Sequence, residues 1–400
     1  MIKPELLNNI LKRSESMFAD DLADHHQEAV DCIGGARIMV IGAAGSIGSA
    51  FVQQLAPYGP GALHLVDISE NNLVEVVRDL RSSPIVLPID FKTFPIAMGS
   101  EEFDRLLEAE KEYDYVVNFS ALKHVRSEKD PYSLMRMYNT NVYYVKKLLD
   151  KLTGTNIRKH FSVSSDKAAN PANVMGATKI FMERILLSYA DRIPFSTARF
   201  ANVAFSDGSL LHGFIQRLAK RQPFSAPTDV KRYFISHEEA GQLCLLSCFL
   251  GANRDIYFPK LDETKDVLTF SEIAVLFLEA AGFTPDVCSS EEEAKEKALI
   301  MKPGGKTWPC YFFISDTTGE KPFEEFYTGD DKVDFDRYRN VGVISQPPWK
   351  AYDKIQEAMD AFARIKGSNH WVKEDMVEAI KIIVPELMHE EKHKNLDQKM

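Results

Sequence analysis

The chain has 400 residues, of which 45% are hydrophobic and 26% are charged, and its formal net charge is −10. These values are typical of a globular protein with one large domain or two to three smaller ones. The negative charge argues against a general nucleic-acid or anionic-membrane binder, because both need a cationic surface, but a local basic pocket can still hold an anionic ligand.

The first 205 residues alternate between strand and helix patterns. Residues 1–34 are polar with a helical pattern, which predicts an N-terminal helical arm. Apolar runs, which predict buried parallel strands, alternate with helical patterns over residues 46–55, 71–81 and 101–111. This alternation predicts an α/β fold with a Rossmann-type doubly wound parallel sheet. The predicted strands are residues 37–41, 63–66, 85–89, 115–119, 159–163 and 195–199.

Beyond residue 205 the alternation weakens, and loops rich in proline and glycine separate the helical stretches. We therefore expect the arm (1–34), a Rossmann domain (35–205), a substrate-binding region (206–345) and a C-terminal helical extension (346–400) with a charged tail from His389.

Cysteine usage and hydropathy bear on the compartment. The five cysteines are scattered, and Cys244 and Cys248 lie at helical spacing in an apolar run, which favours buried free thiols over a zinc site. The N-terminus lacks the layout of a signal peptide, and the longest apolar stretch, residues 240–252, is too short to span a bilayer. We expect a reduced, cytoplasmic protein with no metal and no membrane span.

A glycine-rich segment follows the first predicted strand directly and opens a helix. Gly42, Gly45 and Gly48 permit a tight turn and a close approach of backbone N–H groups to a pyrophosphate, and Ser46 and Ile47 begin the helix. The helix N-terminus adds partial positive charge. In this context the pattern predicts a dinucleotide site, whereas the alternative is a turn that only joins strand to helix.

Two acidic residues follow later strands. Asp67 ends the second predicted strand, close to the separation expected for a carboxylate that binds the adenosine ribose. A carboxylate there favours NAD, because it repels the 2′-phosphate of NADP. Asp90, after the third predicted strand, suits an adenine contact, or is simply a turn carboxylate.

The segment from Ser165 to Lys179 contains the most specific motif. It includes Asp166-Lys167, and Met175 stands four residues before Lys179, where extended short-chain dehydrogenases/reductases usually have tyrosine. The segment closely resembles the nucleotide-sugar 4,6-dehydratases that act on UDP-N-acetylglucosamine, in the polysaccharide-biosynthesis family. Further matching segments are residues 121–125, 139–141, 199–203, 208–209, 231–234 and 319–325.

The resemblance implies the catalytic roles. Such an enzyme oxidises C4 with NAD, eliminates water across C5 and C6, and returns the hydride to C6. Asp166 is then the acid for the C6 hydroxyl, Lys167 the C5 base, and Lys179 a contact of the nicotinamide ribose. Without a tyrosine, the base for the O4 proton is either Ser165, as a relay, or Lys167. Members with methionine at this position are associated with retention of configuration at C5.

The resemblance also implies binding residues. Ala121 and Asn141 belong to the cofactor site, where Asn141 either holds a backbone turn near the nicotinamide or simply starts a helix. Met175 cannot transfer protons and packs against nicotinamide or sugar. The remaining substrate contacts are Lys123 and His124 at the pocket and Asn202, Ser209 and Arg232 at the nucleotide diphosphate.

The chemistry requires unusual protonation states. Asp166 must be protonated near neutral pH, and Lys167 must be partly neutral, so the pKa of each must shift toward neutrality. Adjacent residues on an extended strand point to opposite faces, so an irregular turn is needed to direct both side chains at one sugar. The alternative is a pair of solvated charges at a strand end.

Two other functions stay open. A nucleotide-sugar 4-epimerase shares the C4 oxidation but needs no acid for a C6 hydroxyl, so Asp166-Lys167 argues against it. A non-catalytic NAD-binding regulator fits the missing tyrosine. UDP-N-acetylglucosamine is the default substrate of the family and a GDP-linked sugar is the alternative, and we expect a homo-oligomer.

Overall fold

The computed structural model describes residues 4–110, 112–302, 304–315 and 324–388. The strands are β1 (Arg37–Ile41), β2 (Ala62–Val66), β3 (Asp90–Phe94), β4 (Tyr115–Asn118), β5 (Lys159–Ser162), β6 (Phe195–Ala198), β7 (Asn202–Val203), β8 (Phe224–Pro227), β9 (Lys231–Ile235), β10 (Asp255–Pro259), β11 (Val267–Thr269), β12 (Thr284–Cys288), β13 (Thr307–Phe313), β14 (Val333–Asp334) and β15 (Val341–Ser345). The helices are α1 (Pro4–Leu11), α2 (Ala19–Asp24), α3 (His26–Ile33), α4 (Ser46–Leu55), α5 (Glu70–Ser82), α6 (Glu101–Ala109), α7 (Pro131–Tyr138), α8 (Tyr144–Leu152), α9 (Val174–Tyr189), α10 (Leu210–Ala219), α11 (His237–Leu245), α12 (Phe270–Ala280), α13 (Glu291–Leu299), α14 (Tyr352–Gly367) and α15 (Lys373–Ile383).

The main sheet has nine strands in the order β14-β15-β10-β6-β5-β4-β1-β2-β3. From β3 to β10 all neighbouring strands are parallel, and β15 and β14 add two antiparallel pairings at one side. This arrangement confirms the predicted Rossmann-type α/β fold. Two three-stranded sheets, β11-β9-β7 and β12-β13-β8, form the smaller region beside it.

The alternating side chains of β1 show why its sequence is apolar throughout. Ile38 and Val40 point into one core, which includes residues of α4 and α11, whereas Met39 and Ile41 point into a second core with α7, α8 and α9. A parallel strand covered by helices on both faces buries both sets of side chains. Because helices cover both faces of the sheet, a ligand can approach at the border where β1, β2 and β4 end.

The predicted domain boundary at residue 205 is corrected by the topology. β10, β14 and β15 come from the predicted substrate-binding region but complete the main sheet, where β10 pairs with β6. The chain therefore crosses between the two regions more than once. The smaller region has a separate core around α10, α12 and β8, to which α1 of the N-terminal arm adds Leu6 and Ile10.

The third predicted strand is wrong in position. The apolar run at residues 85–89 is irregular, and Val86 and Ile89 are exposed. Pro88 has no N–H to donate, so it removes one possible ladder hydrogen bond from this run. The strand that pairs with β2 is β3, which begins at Asp90.

The C-terminal extension forms two helices, α14 and α15, and these pack against α7 and α9. The predicted charged tail from His389 lies outside the described residues. None of the helices in the described ranges combines the length and the apolar character that crossing a bilayer requires.

Candidate active site

The turn between β1 and α4 needs glycine at two positions for different steric reasons. Gly42 has φ of 73°, and a Cβ there would lie 2.7 Å from the backbone N of Ser120. A Cβ on Gly48 would lie 2.0 Å from the carbonyl oxygen of Gly42. At Gly45 an added Cβ would meet only that oxygen, at 3.6 Å, so the protein itself tolerates a side chain there. Gly45 lines the cavity, and the fold itself does not require glycine there. Its lack of a side chain therefore fits the close approach of a dinucleotide.

Asp67 lies against this turn, as predicted for a ribose-binding carboxylate. It follows β2, and its Oδ2 accepts a hydrogen bond from Ala44 N at 3.0 Å while its Oδ1 accepts one from Ser69 N at 2.9 Å. The N–H of Ala44 thus fixes the carboxylate beside the glycine turn. This geometry fits NAD at the turn.

Asp90 is a correction, because it lies at the opposite edge of the sheet. It begins β3, pairs with Ala62 at the start of β2, and is therefore remote from the carboxyl ends of the strands. Its carboxylate accepts a hydrogen bond from Arg37 Nη1 at 2.8 Å and bonds His64 Nε2 at 3.0 Å. These hydrogen bonds, from His64 and then Arg37, lower the pKa of Asp90. Asp90 is therefore part of a structural polar network and not of an adenine site.

A cavity of about 810 Å³ runs from the glycine turn to the smaller region. This volume is in the range of small-molecule sites. Every predicted site residue lines it except Asp67, Asp90 and Asn141. The cavity therefore joins the glycine turn, the Asp166-Lys167 pair and Arg232 in one space.

Asn141 lies behind the cavity wall and is fully buried. Its Oδ1 accepts a hydrogen bond from Leu122 N at 2.9 Å, and its Nδ2 donates to Leu122 O and to Thr178 Oγ1, both at 3.0 Å. Asn141 thus holds the backbone next to Ala121, which is the first of its two predicted roles, and it does not line the cavity.

Asp166 and Lys167 lie on the tight turn that their chemistry requires. Residues Asp166–Ala168 form a single 3-10 turn after β5, and Lys167 Nζ lies 3.0 Å from Asp166 Oδ1. The same oxygen accepts hydrogen bonds at 2.9 Å from Ser165 Oγ and from Lys167 N. The turn therefore brings hydroxyl, carboxylate and ammonium groups together.

The pKa of Lys167 shifts in the direction opposite to the predicted one. Burial would lower this pKa, but the charges of Asp166 and Glu324 outweigh burial, and the pKa is raised despite the opposing charge of Arg232. Lys167 is thus an ammonium group in the ligand-free chain. The prediction of a partly neutral Lys167 in this state is wrong because it did not include these two carboxylates.

Lys179 behaves differently and is more deeply buried than Lys167. Its Nζ donates a hydrogen bond to the carbonyl oxygen of Val163 at 2.9 Å. Burial lowers its pKa to about 8, and the nearby carboxylate of Glu183 offsets only part of this effect. Glu183 itself forms an ion pair with Arg199, whose Nη2 lies 2.8 Å from Glu183 Oε2.

Met175 and the predicted phosphate contacts lie on different elements that line the same cavity. Met175 is buried in the first turn of α9, where its N–H donates to Glu128 Oε1 at 2.7 Å. Arg232 lies on β9, and Asn202 on β7 donates to Tyr233 O at 3.5 Å. The hydroxyl of Ser209 caps α10 by accepting a hydrogen bond from His212 N at 3.1 Å.

The cavity rim and the glycine turn are connected through one loop. Lys123 and His124 are exposed and line the rim, where Gly208 packs closely against the His124 ring. Ser46 Oγ accepts a hydrogen bond from Asp207 N at 2.9 Å. The loop at residues 206–209 therefore contacts both predicted binding regions.

Glu324 is a cavity residue that the sequence prediction did not include. It is 2% exposed, and its Oε1 lies 3.6 Å from Lys167 Nζ and 3.7 Å from Arg232 Nη2. It belongs to the matching segment 319–325, whose first five residues lie outside the described ranges. That segment was the available signal, but nothing in it indicated a contact with Lys167.

Comparison with known protein families identifies the relatives of this chain. A family described as "Polysaccharide biosynthesis protein" matches residues 38–341. The chain belongs to this family. An uncharacterized membrane protein of Methanocaldococcus jannaschii is 31% identical over 282 residues, which cover 68% of this chain and 78% of that protein.

Two other relatives have more informative names. A UDP-N-acetylglucosamine 4,6-dehydratase (inverting) of Campylobacter jejuni is 26% identical over 241 residues, covering 58% of this chain and 69% of that enzyme. The probable polysaccharide biosynthesis protein EpsC of Bacillus subtilis is 26% identical over 300 residues, covering 74% of this chain and 48% of that protein. The chain thus spans about half the length of EpsC.

Solved structures show the same fold. Pen from Bacillus thuringiensis has a TM-score of 0.64 and 19% identity, with 88% of this chain and 98% of that chain covered. DesIV, a dTDP-glucose 4,6-dehydratase from Streptomyces venezuelae solved with NAD bound, has a TM-score of 0.55 and 16% identity, with 84% and 98% covered.

Proposed function

We propose that this protein catalyses NAD-dependent 4,6-dehydration of a nucleotide sugar, with UDP-N-acetylglucosamine as the substrate. The observation that carries the proposal is the Asp166-Lys167 pair, joined at 3.0 Å on a turn within the cavity that the glycine turn and Arg232 also line. An acid and a base side by side are what elimination of water across one carbon–carbon bond needs. The similarity to the Campylobacter dehydratase supports the choice of substrate.

The geometry supports a set of binding residues. Backbone N–H groups of the glycine turn and the N-terminus of α4 would hold the NAD pyrophosphate, and Asp67 its ribose. Bound NAD supplies the hydride acceptor at C4 and the hydride donor at C6. Arg232 would bind the sugar-nucleotide diphosphate, because its planar guanidinium can donate two hydrogen bonds.

The resting ion pair can generate both reactive groups by one internal step. A proton passes from Lys167 Nζ to Asp166 Oδ1 across 3.0 Å and leaves a neutral amine and a carboxylic acid. Lys167 then accepts the C5 proton, Asp166 gives its proton to the C6 hydroxyl, which leaves as water, and Lys167 returns a proton to C5.

Ser165 completes the proton balance of this scheme. Its Oγ lies 2.9 Å from Asp166 Oδ1 and can accept the O4 proton of the sugar during C4 oxidation while it releases its own proton to solvent, because Asp166 already carries the proton from Lys167 at that point. After Lys167 has protonated C5, the pair takes one proton from solvent, and the resting ion pair is restored. Met175 contributes no proton and only encloses the reacting sugar.

NMR spectroscopy of UDP-N-acetylglucosamine incubated with the protein and NAD in heavy water tests the proposal. A C6 methyl group, a C4 ketone and deuterium at C5 but not at C6 are expected, and the ring couplings report retention or inversion at C5. Asp166→Asn should reduce the turnover roughly 10²- to 10⁴-fold. A 4-epimer without deuterium at C5 would identify an epimerase instead. An unchanged sugar with demonstrable NAD binding would refute this substrate and direct the assay to GDP-linked sugars.

A further inference from the structure

The carboxylate of Glu324 lies between the two functional ends of the cavity. It contacts Lys167 at the catalytic end and Arg232 at the predicted phosphate end, at 3.6 Å and 3.7 Å from the same oxygen. The side chains of Glu324 and Arg232 are 2% and 5% exposed. Charges so enclosed are screened weakly by salt, so their mutual effects are stronger than those of surface pairs.

We infer that Glu324 is a positioning residue that holds Lys167 and Arg232 in one cluster and keeps the mobile proton on Lys167 rather than on Asp166. This inference rests on the proposed function of the Asp166-Lys167 pair. Glu324 itself transfers no proton. It sets how readily the ion pair converts to the neutral amine and the carboxylic acid.

The groups around Lys167 support a specific effect of Glu324. The charged groups that face the ammonium are Asp166 on its own turn, Arg232 from β9 and Glu324 from the late segment. Helix α9 packs on the turn through Gly176, which has no side chain, and its Lys179 also lines the cavity but donates its hydrogen bond to Val163 O at 2.9 Å. Of Asp166, Arg232 and Glu324, only Glu324 is a carboxylate outside the reacting pair, and its charge favours the protonated form of Lys167.

The contact with Arg232 adds a second consequence. A diphosphate that binds Arg232 competes with Glu324 for the same guanidinium. Removing the Glu324 charge should therefore tighten binding of UDP, while it weakens retention of the Lys167 proton. A residue with only a packing role would change neither property in a charge-dependent manner.

Three variants test the inference: Glu324→Gln, which removes the charge, Glu324→Asp, which keeps it, and Glu325→Gln as the matched control. Glu325 is exposed and its carboxylate contacts Asn170 Nδ2 at 2.7 Å. The proton affinity of Lys167 is measured by competitive acetylation with acetic anhydride across pH and mass spectrometry of the Lys167 peptide. The pH profile of kcat/KM, which reports the free enzyme, is measured in parallel.

For Glu324→Gln we expect the neutral fraction of Lys167 at pH 7 to rise roughly tenfold or more, which equals a pH shift of one unit. The acidic limb of kcat/KM should move to lower pH by the same amount, and UDP should bind more tightly by calorimetry. Glu324→Asp and Glu325→Gln should keep the wild-type labelling profile.

Equal Lys167 labelling in folded Glu324→Gln and wild-type protein would overturn the inference. If Glu324→Gln does not fold, Glu324→Asp decides, because a pH profile shifted as far as one unit despite the retained charge contradicts the charge effect. The labelling needs no turnover. If Glu324→Gln shifts the Lys167 labelling but the wild-type protein gives no product from UDP-N-acetylglucosamine, the role of Glu324 at Lys167 is supported and the proposed reaction is refuted.

Discussion

At the scale of single residues, Lys179 combines deep burial with a depressed pKa. The folded chain gives it a pKa of about 8, against an ordinary value of 10.5. Between these values the unfolded chain binds more protons, so the contribution of Lys179 to the free energy of unfolding rises with pH across this window. Below about pH 8 the full penalty of the buried charge is present.

Lys179→Met should remove both that penalty and the contact with the nicotinamide ribose that we propose. We expect the stability of the variant relative to wild type to fall by about 2–3 kcal/mol between pH 7 and pH 10, because only the wild type gains from deprotonation. Urea unfolding at both pH values measures this difference. A constant difference would contradict the depressed pKa of Lys179.

Met175 provides a test of a purely steric role. Its side chain is buried and cannot carry a proton, so Met175→Leu, which nearly conserves volume, should change kcat less than about threefold and stability by less than about 1.5 kcal/mol. Steady-state kinetics and thermal unfolding check both values. A loss of activity comparable to that of Asp166→Asn would show that the sulfur itself participates.

The predictability of the site depends on the distance between its members along the chain. Ser165, Asp166 and Lys167 are adjacent, so the motif was readable and the required turn could be anticipated. The raised pKa of Lys167 could not be anticipated, since it depends on Glu324 as well as on Asp166, and only the folded chain brings Glu324 within 3.6 Å of Lys167. Local motifs indicate which groups react, whereas their protonation states depend on distant partners.

At the scale of elements, the glycine turn separates the steric needs of the fold from those of the ligand. Gly45→Ala meets no close protein contact, whereas Gly48→Ala places a Cβ 2.0 Å from Gly42 O. We expect Gly45→Ala to keep the wild-type melting temperature within a few degrees and to weaken NAD binding at least tenfold. Gly48→Ala should lower the melting temperature clearly. Calorimetric titration with NAD and thermal unfolding distinguish the two effects, and undiminished NAD binding by Gly45→Ala would remove the pyrophosphate from this turn.

The buried ion pair of Arg199 and Glu183 joins the end of β6 to α9. Arg199 also donates to Phe326 O at 2.9 Å, and Ser164 Oγ donates to Glu183 Oε1 at 2.5 Å. Arg199→Met should lower the free energy of unfolding by roughly 3–5 kcal/mol, because Glu183 is left as a buried charge without its guanidinium. Arg78→Ala, which breaks an exposed pair with Glu75, is the control and should cost less than about 1 kcal/mol. Similar losses in both variants, measured by urea unfolding, would contradict the burial argument.

Elements with continuous apolar runs were predictable because both faces of the central strands are buried, as in β1 and β2. The edge strand β3 was not, since its pattern is mixed and its residues are only partly buried. The neighbouring run at residues 85–89 is more apolar but contains Pro88, and its hydrophobicity outweighed this signal in the prediction. The prediction from hydropathy therefore placed this edge strand at residues 85–89 instead of at β3.

At the scale of the whole molecule, the sequence did not predict the order of the strands in the main sheet. Chain order suggested that the sheet ends near residue 205, yet β10 and β15 return to pair beside β6. Local patterns carry no information on which sheet a late strand joins, because that choice depends on the space left beside β6. The smaller region is consequently attached to the Rossmann sheet through several chain crossings rather than one linker.

The C-terminal extension packs into the same core as α7 and α9, so we expect it to unfold together with them. Phe362 of α14 is buried and stacks on Tyr138, with ring centroids 3.5 Å apart, in the core that also contains residues of α9. Because α9 carries Met175 and Lys179, which line the cavity, the extension packs behind a helix of the candidate site.

Phe362→Ala should therefore lower the free energy of the main unfolding transition by about 3–5 kcal/mol. Phe335→Ala, at a position that is 45% exposed, is the control and should cause a smaller loss. Denaturant unfolding monitored at the three tryptophans, Trp308, Trp349 and Trp371, measures this effect. A separate early transition in Phe362→Ala, with the main midpoint unchanged, would mean that α14 and α15 fold as an independent appendage and do not support the site.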